Sequence, residues 1–159
     1  MRMVNAMEEV DRYRVMAWWA SARSGLAKSS CAPNAIHFSS SPAFGGMEGR
    51  WTPEELLLCS IASSYTTTFW ALAECEAFEF TDLQVEAEGA ITKTDEGHRI
   101  DEIFLRASLT IRRGGERERA YRLLHQSKEL CLVGRALSIN QKFEPRVEVG
   151  GPRFDVVHG

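Results

Sequence analysis

Residues 52–77 read TPEELLLCSIASSYTTTFWALAECEA, and after Pro53 no glycine or proline interrupts the stretch. Thr52 is suited to cap a first helical turn, Pro53 to occupy the first helical position, and Glu55 to complete a Thr-x-x-Glu capping box. Glu54 and Glu55 also stand where the helix dipole favours negative charge. The spacing predicts one helix of about seven turns, roughly 38 Å long at 1.5 Å per residue. Leu56, Leu57, Leu58, Ile61, Tyr65, Phe69, Trp70 and Leu72 surround its axis, with serines and threonines between them. A helix apolar on most sides is expected to be buried on most sides, here as a central helix shared with a second copy of the chain. No run of 18 apolar residues occurs, so a membrane span is not expected.

The 159 residues suit one domain, with a core over about 11–149 and loose ends. Hydrophobic residues make up 44% and charged residues 26%, a globular balance, and a net charge of −3 gives no pull toward nucleic acid or anionic membrane. The start, MRMVNAMEEVDRY, lacks the apolar centre of a signal peptide, so a cytoplasmic protein is expected. Cys31, Cys59, Cys75 and Cys131 form no Cys-x-x-Cys pair and read as free thiols.

Ahead of the helix, weak alternation predicts strands over 11–25, 26–29 and 35–39. A Pro- and Gly-rich loop over 41–51 then carries Phe44 and Trp51 into the helix. These two aromatics either staple the loop to the core or wall a pocket. Beyond the helix, Leu83, Val85, Ala87 and Ile91 alternate with polar residues, Thr94–Gly97 turns, and Ile103, Leu105, Ala107, Leu109 and Ile111 share one face of a return strand. That predicts an antiparallel hairpin with one wet face. A second helix is expected over 116–131, with Ala120, Leu123, Leu124, Ser127 and Cys131 on one stripe, then a short helical piece after Gly134. A last strand over 143–149 contains Pro145 and is placed on an edge. The order β-β-β-α-β-β-α-β, with two helices laid on largely antiparallel sheet, is an α+β layer fold.

Local chemistry is sparse. The four histidines show no metal-ligand spacing, no Gly-rich phosphate loop follows a strand, and no cofactor or metal is expected. Glu54 reads either as a dipole-favoured surface carboxylate or as a site residue. Ser64 has the ordinary reading of a core serine bonded back to the Ile61 or Ser60 carbonyl. Cys131 has that of a small buried apolar residue.

Two segments carry a resemblance. FGGMEGRWTPEELLLCSIASSY (44–65) resembles the Gly-rich loop, N/T-P-E-x-L and buried helix of the OsmC/Ohr family, the osmotically inducible and organic hydroperoxide resistance proteins. HQSKELCLVGRALS (125–138) resembles that family's second motif, a Cys before a short helix start. The resemblance implies intertwined homodimers with two long helices buried in the middle and two sites at the interface. It implies a thiolate that attacks a peroxide, becomes a sulfenic acid, and closes a disulfide with a second cysteine that a dithiol reductant reopens. Carried over by position, the family's glutamate falls on Glu54, its resolving cysteine on Cys131, and its arginine on Arg23 in SARSG. Its peroxidatic cysteine, ten residues after the glutamate, falls on Ser64.

Serine has no sulfenic stage to reach. Cys59 points about 140° away on the helix, and Cys75 lies roughly 16 Å further along the axis, so neither takes its place. Three functions follow from this departure. The chain is a peroxide-reductase relative with weak or altered activity, or a non-redox member binding a small apolar ligand in the interface pocket through Glu54, Arg23 and Ser64. A hydrolase using Ser64 and Glu54 is disfavoured because the sequence places no histidine to activate the serine.

Overall fold

The structure, a computed structural model, describes residues 12–150. The expected loose arm over 1–10 and the tail over 151–159 lie outside those residues. The chain divides into two compact units, Met1–Glu55 and Leu56–Gly159.

The first unit is a three-stranded antiparallel meander of β1 (Val15–Ser21), β2 (Ser24–Ser29) and β3 (Ile36–Ser39), with β2 in the centre. The expected first strand over 11–25 is in fact two. Ser21 pairs with Ser24, and Ala22 turns the chain at φ 47, a conformation steadied by the Trp19 indole, which donates to the Ala22 carbonyl at 2.9 Å. Every residue of β1 is exposed. After β3 the chain makes a single 3₁₀ turn at Pro42–Phe44 and reaches α1 (Pro53–Cys75). The capping box at its start is formed: Thr52 N donates to Glu55 Oε2 at 2.8 Å and Glu55 N donates to Thr52 Oγ1 at 3.1 Å.

In the second unit, β4 (Asp82–Thr94) and β5 (Gly97–Ile111) form the long antiparallel hairpin, turned by Asp95 and Glu96 with Gly97 at φ 119. Helices α2 (Arg117–Leu130) and α3 (Leu132–Ala136) follow, and β6 (Asn140–Val149) closes the sheet in the order β4-β5-β6. Edge position and Pro145 agree, since proline donates no ladder bond. The sheet is nevertheless mixed rather than antiparallel throughout, because β6 runs parallel to β5. The helical connection between them is the crossover that parallel neighbours require. The last helix also begins before Gly134, not after it.

Ile103, Leu105, Ala107, Leu109 and Ile111 of β5 are fully buried, and the last four join Ala120, Leu123 and Leu124 of α2 in one core. From α1 only Ile61, Tyr65, Phe69 and Ala73 are buried, one stripe at four-residue spacing. The other faces of that helix stay partly or wholly exposed in the single chain, with Trp70 59% exposed. By length and composition α1 also meets the test for a membrane-crossing helix, which the core helix of a globular unit passes equally. The expectation of no span rested on an unbroken apolar run, and serines and threonines break the run without lowering mean apolarity much. Their hydroxyls turn inward: Ser60, Ser63, Thr66 and Thr68 donate to carbonyls three or four residues earlier.

Candidate functional site

The residues singled out from the sequence fall into two groups, one in each unit. In the first unit Arg23 lies in the β1–β2 turn, next to Ala22. Its carbonyl accepts from Ser40 N at 3.0 Å and from Ser39 Oγ at 3.3 Å, while its guanidinium donates to the Phe44 carbonyl at 2.5 Å. Arg23 thereby ties β3 to the start of the Gly-rich loop. Ser39, fully buried, completes the arrangement by accepting from Met47 N at 2.9 Å. Gly46 is required here because an added Cβ would lie 1.5 Å from the Ser40 carbonyl oxygen. Gly45 at φ 77 ends the 3₁₀ turn in a left-handed conformation that side chains disfavour. Phe44 and Trp51 are 37% and 50% exposed, and Trp51 is tied to β3 through an isolated bridge to Phe38. Glu54, half-buried, sits one residue into α1, and among the described residues no ion pair joins it to exposed Arg23.

In the second unit Ser64 and Cys131 meet. Cys131 is fully buried in the break between α2 and α3, where φ −58 and ψ 112 end one helix and start the next. Its thiol lies 3.4 Å from Ser64 Oγ and 3.9 Å from the Ile61 carbonyl. Ser64 Oγ also accepts from Val133 N at 3.3 Å. The ordinary reading of Ser64, a hydroxyl returned to the Ile61 or Ser60 carbonyl, therefore does not describe it. Unlike its hydroxyl neighbours, Ser64 spends its oxygen on the α2–α3 break.

Three further residues hold that break, and no sequence signal marks them beyond a glycine three positions after the cysteine. Gln141 Nε2 donates to the Gly134 carbonyl at 2.8 Å, and Lys128 Nζ donates to Gln141 Oε1 at 2.8 Å. A Cβ on buried Gly134 would come within 3.4 Å of the Cys131 sulfur and 3.3 Å of Gln141 Oε1. Beneath the thiol, Tyr65 donates to the Leu124 carbonyl at 2.9 Å. Burial, and secondarily repulsion from Cys131 were it ionised, push the Tyr65 phenol far up, so it stays neutral.

A hydroxyl beside a buried thiol cannot store oxidising equivalents by itself, since only sulfur forms the sulfenic and disulfide stages. All four cysteines are free. Were sulfur at position 64, two sulfurs starting near 3.4 Å would stand about 1.4 Å beyond a disulfide bond length, within reach of a small local adjustment. Among the described residues no group of three His, Cys, Asp or Glu is placed to hold a metal.

The chain is similar to several known proteins. A Bacillus subtilis protein, the uncharacterized YmaD, is 28% identical over 104 residues, covering 62% of this chain and 69% of its own. In fold the chain is similar to an OsmC-like protein of unknown function from Vibrio cholerae (TM-score 0.74, 15% identity, 86% of this chain and 99% of the other). It is similar also to an organic hydroperoxide resistance protein OsmC from Legionella pneumophila (TM-score 0.71, 19% identity, 89% and 100%). The organic hydroperoxide resistance protein OhrB of Bacillus subtilis has the same fold (TM-score 0.62, 20% identity, 87% and 98%). Those likenesses concern the fold, but the sequence pattern of the OsmC-like proteins itself matches residues 46–146, from the Gly-rich loop through α1 and the cysteine break to β6. With that match across most of its length, the chain belongs to the OsmC-like protein family.

Proposed function

We propose that this chain is a relative of the thiol-dependent organic hydroperoxide reductases in which the two-thiol cycle lacks its first sulfur, so that peroxide turnover is weak or altered. The observation that carries the reading is the 3.4 Å contact between Ser64 Oγ and Cys131 Sγ, a hydroxyl held against the remaining thiol. By the family's pattern Glu54 and Arg23 are the polar candidates of this reading and Phe44 and Trp51 the apolar ones, all four in the first unit. Four free thiols fit a reducing compartment such as the cytoplasm.

In an intact cycle the site thiolate attacks the outer peroxide oxygen, the O–O bond breaks, an alcohol leaves with a proton, and a sulfenic acid remains. The second thiol then displaces water to form the disulfide, which a dithiol reduces. Ser64 can perform neither half. The test is organic hydroperoxide consumption with a dithiol reductant, wild type against Ser64→Cys and Ser64→Cys/Cys131→Ser. Wild type should be slow, and Ser64→Cys should gain at least about tenfold, equivalent to ~1.4 kcal/mol of barrier, dependent on Cys131. Wild-type turnover that survives Cys131→Ser overturns the reading. So does a folded Ser64→Cys variant that stays inert.

A second reading is favoured by the complete burial of Cys131, which leaves the thiol no exposed face in the single chain. In that reading the member is non-redox and holds a small apolar molecule at an interface between two copies. Mass spectrometry of the undenatured purified protein separates the two, because a co-purifying ligand belongs only to the second.

A further inference from the structure

A single side-chain amide ties together the elements around Cys131. Gln141 is the second residue of β6, and its two polar ends engage different helices. Nε2 donates to the Gly134 carbonyl in α3 at 2.8 Å, and Oε1 accepts from Lys128 Nζ in the last turn of α2 at 2.8 Å. Chemistry dictates which way the amide points, because a carbonyl only accepts and an ammonium only donates. Gln141 therefore joins α2, α3 and β6 where the two helices part.

The helix it holds cannot hold itself. Five residues are too few to sustain a helix alone, and the last four carbonyls of any helix lack a partner within it. Three bonds fix the backbone of α3: Val133 N to Ser64 Oγ at 3.3 Å, Arg135 N to the Cys131 carbonyl at 3.0 Å, and the Gly134 carbonyl to Gln141. Of these, the last is the tie to the sheet. A Cβ on Gly134 would lie 3.4 Å from Cys131 Sγ and 3.3 Å from Gln141 Oε1, so thiol and amide both crowd this one glycine. Cys131 is 0% exposed, and any electrophile that reacts with it must first find it uncovered. Displacing α3 would part Val133 N from Ser64 and draw Gly134 off the sulfur.

We propose that Gln141 is a latch, a positioning residue that keeps α3 closed over the Cys131 thiol and sets how often that thiol can be reached. The thiol reacts from a local opening in which the Gly134 carbonyl has left Gln141. Lys128 acts through Gln141, holding Oε1 so that Nε2 faces Gly134. The latch rests on reading Cys131 as the working thiol, and it adds the device that governs access to it.

Alkylation by iodoacetamide tests this on the full chain at pH 8, without peroxide, with each cysteine followed by peptide mass spectrometry. Exposed Cys31 is the internal control. Gln141→Glu leaves Lys128 an acceptor but removes the donor to Gly134. It should speed Cys131 labelling at least about tenfold, the usual worth of such a bond, with Cys31 unchanged. Lys128→Met should speed it less, and Lys128→Arg, which restores a donor, should label as wild type does. A residue that merely supports the fold would act through whole-chain unfolding, which steepens with urea, whereas a local opening should leave the rate flat at low urea. Labelling of Cys131 in Gln141→Glu at the wild-type rate, or rising with urea as global unfolding does, overturns the latch. So does a wild-type Cys131 that labels as fast as Cys31. Should Gln141→Glu fail to fold, Lys128→Met labelling at the wild-type rate overturns it alone. An inert Ser64→Cys variant would end the peroxide reading yet leave these rates untouched, so the two ideas fail separately.

Discussion

Tyr65 stands directly after Ser64 and couples the thiol break to the core, its hydroxyl bonded to the Leu124 carbonyl and its ring 5.6 Å from that of Phe143. Because burial raises its pKa, the folded state keeps the phenol protonated where an unfolded tyrosine, with its pKa near 10, ionises. Above about pH 10 the folded state therefore binds more protons than the unfolded one, and stability falls as pH rises, by up to ~1.4 kcal/mol per pH unit from this group. Below that pH the contribution is fully present. Tyr65→Phe should cost about 1 kcal/mol at neutral pH through the lost hydrogen bond. Denaturant unfolding between pH 7 and 11 should then show the gap between wild type and variant closing above pH 10. A constant gap would mean that the phenol ionises freely in the folded state. At this scale the sequence was half legible. The capping box is read from spacing and formed; Cys131, expected on the stripe of the second helix, is buried but lies in the break after α2 rather than on the helix. The partner of Ser64 was not readable, because a hydroxyl on a helix can always return to its own backbone, and only the fold reveals a competing donor 69 residues away, Val133 N.

Among the elements, α1 ends in a way its composition did not announce. Phe78 N donates to the Ala73 carbonyl at 2.8 Å and Ala77 N to the Glu74 carbonyl at 3.1 Å, the paired bonds of a Schellman cap. That cap puts Ala77 at φ 48, a left-handed conformation in which a Cβ crowds the following carbonyl and which glycine adopts without that cost. Ala77→Gly should therefore raise stability by about 0.5–1 kcal/mol, part of the relief being offset by greater freedom in the unfolded chain. Thermal or denaturant melting checks it, and a loss of stability would show that the alanine methyl contributes more packing than strain. The strands were legible wherever one face is wet: the alternation in β5 located every buried residue of its core face. Parallel pairing of β6 was missed for a different reason. Short apolar alternation fixes which face a strand buries but not its direction, and direction comes from the length of the connection, here two helices.

At the scale of the whole molecule, what the single chain leaves uncovered asks for a partner. In the first unit Val15, Trp18 and Trp19 are 68%, 48% and 77% exposed, and in the second Trp70 and Leu132 are 59% and 76% exposed. Chains that act alone rarely leave this much large apolar side chain in water. A helix apolar around most of its circumference, yet buried along a single stripe, makes the same demand from within. The occupant proposed is a second copy of the chain, since uncharged surface recurs on β1 and on the open face of α1, where Cys59, Ser63, Thr66, Thr67, Trp70 and Ala71 are exposed, as a self-complementary interface requires. Light scattering at micromolar concentration should return twice the chain mass, and Trp18→Glu should shift the equilibrium toward the single chain by placing a charge on β1. Trp18 suits the test better than Trp19, whose indole also steadies the Ala22 turn and whose loss would confound folding with association. A wild-type mass equal to one chain would remove the homodimer, and with it any ligand reading that depends on an interface. The serine–thiol contact, made within one chain, would be left to account for function alone.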